Sequence, residues 1–144
     1  MATVELRFSA QPEHVRTARL VAAAVARRAG VDESVLDEVR LAVGEACSRA
    51  VGLHSASGID SPVRVQLIED EKRFSIEVED AVPHVLGGGA SRGAAGGPRD
   101  DTEEESDMGL AVIRGLVDDV EVVMGESGGV IKMNWPTDSA SVLP

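Results

Sequence analysis

The stretch DEVRLAVGEACSRA, residues 37–50, decides the fold because it combines a helical apolar repeat with polar groups at fixed positions. Apolar residues recur at three- and four-residue spacing within and around it, which predicts an amphipathic helix with one buried face. The positions on that face are Val35, Val39, Ala42, Val43, Ala46, Ala50 and Leu53. Asp32 is a good N-cap for this helix, and the pattern ends at about His54.

A strand and another helix come before this stretch. Val4, Leu6 and Phe8 alternate with polar residues, which is the period-two pattern of a half-buried strand. Pro12 opens a helix and Gly30 ends it. The apolar positions of that helix also recur every three or four residues, and they are Val15, Ala18, Val21, Ala22, Val25, Ala26 and Ala29.

Two predicted hairpins and a short helix follow. Residues 63–67 and 74–78 form the first hairpin, and residues 120–123 and 130–135 form the second. Between the hairpins, a helical repeat begins at Met108. This order of elements predicts an α+β fold, a two-layer α/β sandwich with helices on one face of a mixed, mainly antiparallel sheet.

Length and composition indicate one domain. The chain has 144 residues, of which 43% are hydrophobic, enough for one core of ordinary size. We expect this domain to span residues 1–136 and to be followed by a tail over residues 137–144. Residues 81–107 are rich in glycine and then in carboxylates, so they bury too little to fold alone. We interpret them as a flexible lid, with a disordered linker as the alternative.

Charge and cysteine content exclude several classes of protein. A formal net charge of −11 disfavours nucleic-acid partners, because duplex binding needs Lys and Arg to replace counterions. Cys47 is the only cysteine and lies in the helical repeat, so we expect a buried, inert thiol and no disulfide. His14, His54 and His84 lack metal-ligand spacing and are expected at the surface or at helix ends.

Neither a signal peptide nor a membrane span is predicted. The first ten residues lack a basic start followed by an apolar run, and no stretch reaches the roughly 18 apolar residues of a span. We therefore expect a cytoplasmic protein with no membrane partner.

Several motifs follow one another in the order found in one known family. Residues 37–50 resemble the N-box helix of the RsbW-type anti-sigma factors, in which a Glu and an Asn four residues later share one helical face. Val78-Glu79-Asp80 resembles the strand that ends at the adenine-binding Asp of that family. Residues 108–120 resemble the G-x-G-L-x-L helix after the lid, and the hairpin with Gly128-Gly129 resembles the closing strands. The resemblance implies the histidine-kinase-like, gyrase-like ATPase fold.

The same resemblance implies a nucleotide site, with ATP and magnesium as cofactors. Glu45 corresponds to the catalytic carboxylate, which would lie near the attacking hydroxyl. The implied cofactor-binding residues are Arg49, Asp80, Asp107, Gly109 and Leu110. No residue is assigned as a metal ligand.

Arg49 departs from the family pattern because it stands at the position of the metal-binding Asn, and a cation cannot coordinate a metal ion. It can pair with Glu45, four residues earlier on the helix, and so prevent that carboxylate from acting as the base. Alternatively, the two side chains form only an ion pair on the helix surface. It can instead contact the nucleotide phosphates and partly replace the metal. These interpretations remain open at the level of sequence.

The other two motifs are also altered. Residues 81–84 lack both glycines that follow the Asp in the family, so Val82 and Pro83 are expected to crowd the base. Asp107 replaces the first glycine of the last motif. We expect it at a helix N-terminus, where its carboxylate can cap the amides that would otherwise bind phosphate.

The leading functional hypothesis is a regulator that binds a sigma factor, an anti-anti-sigma factor or both, with nucleotide binding weak or lost. An active ATP-dependent serine kinase that phosphorylates an anti-anti-sigma factor is the alternative from the enzyme class. A scaffold for unrelated partners is a third hypothesis, because one fold hosts many functions. The resemblance also implies a possible homodimer.

Overall fold

The computed structural model describes residues 2–83 and 101–137, while the side chains of residues 101–107 lie outside the described part. The elements in chain order are β1 (Ala2–Phe8), α1 (Glu13–Ala29), α2 (Leu36–Ser57), β2 (Val63–Glu69), β3 (Arg73–Asp80), α3 (Asp101–Leu116), β4 (Asp119–Gly125) and β5 (Gly128–Pro136). A 3-10 turn, Glu33–Val35, precedes α2. The predicted α+β class is confirmed.

One sheet with the strand order β1-β2-β3-β5-β4 forms a layer of the sandwich. Each of its four neighbouring strand pairs is antiparallel, so within the described ranges the sheet is antiparallel throughout rather than mixed. Each of the two predicted hairpins forms a pair of neighbouring strands, and β5 lies against β3. This order places the end of β3 beside the start of β5.

The core lies between the sheet and the helices, and the strand register explains its composition. Because alternate residues of a strand face opposite sides, residues of β3 and β5 that pair across the ladder share one face. Phe74, Ile76 and Val78 pair with Trp135, Met133 and Ile131, and all six are buried. They pack with the predicted apolar face of α2, of which Val39, Ala42, Val43 and Ala46 are fully buried.

Local signals in the sequence account for most helix ends. Gly30 ends α1 with a left-handed backbone conformation (φ 101°), as predicted. Asp32 caps the 3-10 turn rather than α2 itself, since its side chain accepts a hydrogen bond from Ser34 N at 2.9 Å. Helix α2 continues beyond His54 to Ser57 and ends at Gly58.

Helix α3 differs from the sequence prediction, because it begins at Asp101 rather than Met108. The backbone of residues 101–107, which the sequence prediction placed in the lid, is therefore helical. The rest of the predicted lid, residues 84–100, and the tail from residue 138 lie outside the described residues.

Candidate functional site

Three elements meet where the sequence predicted a site. Arg49 on α2 lies 3.8 Å from Asp80 at the end of β3, measured from Nη1 to Oδ2. A Cβ placed on Gly109 of α3 would lie 3.7 Å from Glu45 Oε2 and 3.8 Å from Arg49 Cβ. Four of the six predicted site residues, Glu45, Arg49, Asp80 and Gly109, are therefore neighbours in space.

Asp80 is held by the backbone around it. Its Oδ1 accepts hydrogen bonds from Val82 N at 3.0 Å and from Gly129 N at 3.3 Å. These two bonds fix the carboxylate on the turn that follows β3 and on the start of β5. The side chain of Asp80 is only 3% exposed.

Gly128 permits the close approach of β5 to Asp80. Its backbone has φ +136°, and a Cβ added there would lie 2.0 Å from the carbonyl oxygen of Asp80. No side chain fits in that space without a shift of the main chain. The first glycine of the pair Gly128-Gly129 is thus required by the geometry beside Asp80.

Arg49 has a different partner from the one considered at the level of sequence. Its side chain is 4% exposed, so the interpretation as a surface ion pair is wrong. Glu45 takes part in no hydrogen bond or ion pair with another described residue. The guanidinium pairs with Asp80 instead, because a buried carboxylate and a buried cation each need a compensating charge.

The predicted helix N-terminus at Asp107 is also wrong. Only the first four amides of an α-helix lack a partner within the helix, and α3 begins six residues before Asp107. The amides of Gly109 and Leu110 therefore lie in the helix interior and are not a ready anion site in this conformation. The side chain of Asp107 lies outside the described part.

His54 is a residue of this region whose role the sequence analysis missed. It is fully buried in the last turn of α2, and its Nδ1 lies 2.9 Å from Ser61 O. Its Nε2 accepts a hydrogen bond from Ala81 N at 2.9 Å. Since Ser61 O can only accept, the ring is assigned as neutral with its hydrogen on Nδ1. The available signal was its spacing, four residues after the buried Ala50.

Cys47 lies in the core on α2, as predicted. Burial raises the pKa of its thiol from an ordinary value of 9.0 to about 12. The thiolate is the reactive form of cysteine, so this side chain is chemically inert at neutral pH.

Two features are absent from the described ranges 2–83 and 101–137. They contain no group of three or more His, Cys, Asp or Glu side chains arranged to hold a metal ion. Among the same residues, no helix has both the length and the apolar character needed to cross a membrane.

The fold is thus a helical layer on an antiparallel sheet, with a polar site where α2, β3 and α3 meet. A family model described as the histidine kinase-like ATPase domain matches residues 8–135, and the chain belongs to this family. The predicted resemblance to the RsbW type is confirmed by the relatives that follow.

Curated relatives cover most of the chain. The serine-protein kinase RsbW of Bacillus pumilus (strain SAFR-032) is 29% identical over 145 residues, covering 90% of this chain and 83% of that protein. RsbW of Listeria monocytogenes serovar 1/2a (strain ATCC BAA-679 / EGD-e) is 28% identical over 142 residues, covering 92% and 86%.

A solved structure has the same fold. The crystal structure of the RsbU and RsbW domains of Rv1364c from Mycobacterium tuberculosis matches with a TM-score of 0.66 and 16% identity. The match covers 93% of this chain and 31% of that chain, so this protein spans about a third of that one.

Proposed function

We propose that this protein is a partner-switching regulator of transcription that binds a sigma factor, an anti-anti-sigma factor or both, with nucleotide binding weak or lost. Membership of the family and similarity to RsbW proteins over most of their length support the regulatory role. The observation that carries the nucleotide part of the proposal is the buried ion pair between Arg49 and Asp80.

This ion pair joins the two positions at which the family resemblance implies contacts to magnesium and adenine. A guanidinium cannot coordinate magnesium, so Arg49 cannot take over the role of the Asn. The same guanidinium lies against the carboxylate expected to accept a hydrogen bond from adenine. A bound nucleotide would have to share Asp80 with a cation that is already in place.

Helix α3 supports the same conclusion. A polyphosphate is commonly bound by the free amides at a helix N-terminus. Here the helix begins at Asp101, so the amides of Gly109 and Leu110 lie in the helix interior and are already bonded within it.

An active serine kinase is the second candidate, and Glu45 favours it. The residue is half-buried, lies beside Gly109 and has no ion-pair partner among the described residues. A carboxylate in that situation is available to accept a proton from an attacking hydroxyl. Phosphorylation of a partner Ser that is lost in Glu45→Gln would establish this activity.

Affinity capture tests the proposal. The tagged protein is incubated with cytoplasmic extract of its own organism, with and without Mg-ATP, and the bound proteins are identified by mass spectrometry. We expect a sigma factor or an anti-anti-sigma factor to be retained equally under both conditions. Exchange of one partner for the other on addition of Mg-ATP would support the kinase, and absence of both partners would contradict the proposal.

Two further predictions belong to this proposal. We propose a cytoplasmic location, where a sigma factor is found, and a homodimer as the oligomeric state. Light scattering of the purified protein measures the second directly, since a monomeric mass would contradict it.

A further inference from the structure

The buried ion pair links two elements that are far apart in the sequence. Arg49 lies on the third turn of α2 from its C-terminal end, and Asp80 is the last residue of β3. Their side chains are 4% and 3% exposed, and the charged atoms lie 3.8 Å apart. This distance is that of an ion pair rather than a hydrogen bond.

The two oxygens of Asp80 face different groups. Oδ1 accepts from the backbone of Val82 and Gly129, and Oδ2 faces the guanidinium of Arg49. The carboxylate therefore connects the turn after β3, the start of β5 and helix α2. Removal of either charge breaks a buried ion pair, which is destabilising.

From this arrangement we infer that Arg49 is a built-in occupant of the nucleotide site and replaces a bound ligand as the bridge between α2 and the end of β3. The inference rests on the proposed loss of nucleotide binding and names its cause. Arg49 is thus a positioning residue, which holds Asp80 and the elements beside it in one arrangement without a cofactor.

Substitution of Arg49 by Asn tests this inference. The change removes the cation and introduces the oxygen ligand typical of the family. We expect the midpoint of thermal unfolding, Tm, to fall by several degrees and to rise again in millimolar Mg-ADP. We expect ADP to bind the variant at least about tenfold more tightly than the wild type in calorimetric titration.

Arg64→Asn is the matched control. Arg64 also pairs with carboxylates, Glu5 and Glu79, but its side chain is 37% exposed and lies on the sheet face away from the helices. The same chemical change should alter Tm little and should produce no response to ADP. A gain of ADP binding seen only in Arg49→Asn cannot result from general loosening of the fold.

Three results would overturn the inference. The first is a rise in the wild-type Tm with Mg-ADP as large as that of Arg49→Asn. The second is a folded Arg49→Asn that shows no response to ADP. The third result applies if Arg49→Asn is unfolded in the absence of ligand. Binding of Mg-ADP should then refold the variant by mass action, so a variant that stays unfolded in millimolar Mg-ADP contradicts the inference.

The outcome is independent of the partner-capture experiment. If Arg49→Asn gains ADP binding while the wild type captures neither partner, the inference holds and the proposed function fails. If the wild type captures a partner regardless of Mg-ATP while Arg49→Asn gains nothing, the proposed function holds and the inference fails.

Discussion

Individual buried side chains on α2 show how position along a helix determines chemistry. Cys47, Arg49 and His54 all lie on α2, and all are at most 8% exposed. Cys47 meets only apolar surroundings and keeps its proton, whereas Arg49 and His54 meet polar groups at the end of β3. Buried positions on different sides of one helix therefore contribute to the core and to the candidate site.

The raised pKa of Cys47 predicts a loss of stability at alkaline pH. The folded thiol titrates at about 12 and the unfolded thiol at its ordinary value of 9.0, so the unfolded state loses its proton first as pH rises. The free energy of unfolding should fall by about 1.4 kcal/mol per pH unit within that window. Denaturant unfolding measured from pH 8 upward should show this slope, and Cys47→Ala should show a flatter dependence. Equal slopes in the two proteins would contradict the assigned cause.

His54→Phe is predicted to destabilise the fold. Phenylalanine keeps the ring but removes the bonds to Ser61 O and Ala81 N, which costs about 2 kcal/mol or more. The fluorescence of Trp135 during urea unfolding measures the change.

His14→Phe is the matched control for this change. His14 is half-buried, contacts the ring of Phe8 and takes part in no hydrogen bond with another described residue. The control should therefore be close to neutral. Equal effects of the two substitutions would mean that the bonds of His54 contribute little.

At the scale of elements, the turn between β4 and β5 fixes the position of the strand beside Asp80. Gly125 and Gly128 flank this turn and pair with each other, but their surroundings differ. A Cβ at Gly128 would overlap the carbonyl of Asp80, while a Cβ at Gly125 would meet nothing within 4 Å. Only the glycine nearest the site is required by a close approach.

Gly128→Ala is therefore predicted to destabilise the protein by about 3 kcal/mol or more, because β5 must move away from β3 or the backbone must change its φ angle. Gly125→Ala should cost much less. Thermal unfolding followed by circular dichroism compares the two variants. If Gly128→Ala were as stable as Gly125→Ala, the start of β5 would have to lie far enough from the carbonyl of Asp80 to accept a Cβ at residue 128.

At the scale of the whole molecule, the excess of carboxylates affects stability through long-range repulsion. The formal net charge is −11, and exposed like charges repel in the compact state. Exposed ion pairs such as Arg28 with Glu69 act in the opposite direction, but each contributes little. Repulsion should dominate at low ionic strength.

Tm is therefore predicted to rise by a few degrees when salt is raised from low to physiological concentration, where the screening length is about 8 Å. A variant with Asp70→Asn, Asp118→Asn and Glu126→Gln, all exposed positions, should show a weaker salt dependence. A Tm that falls with added salt would mean that the ion pairs outweigh the repulsion.

The sequence was sufficient to predict most of the fold because its periodic patterns are strong. The strands, α1, the core face of α2 and the end of α1 at Gly30 all follow from local spacing and capping residues. The start of α3 was not predictable in the same way, since an acidic, glycine-preceded run is typical both of loops and of a helix N-terminus. Composition could not distinguish these two cases.

The candidate site could likewise be predicted from the sequence only in part. The sequence by itself determined which residues carry charge and which lie on the buried side of α2, since both follow from residue type and helical period. Only the tertiary structure decided that Arg49 pairs with Asp80 instead of Glu45 and that His54 binds the backbone at Ala81. Both contacts join segments 27 to 31 positions apart, and the packing of α2 on β3 that brings them together has no local signature in the chain.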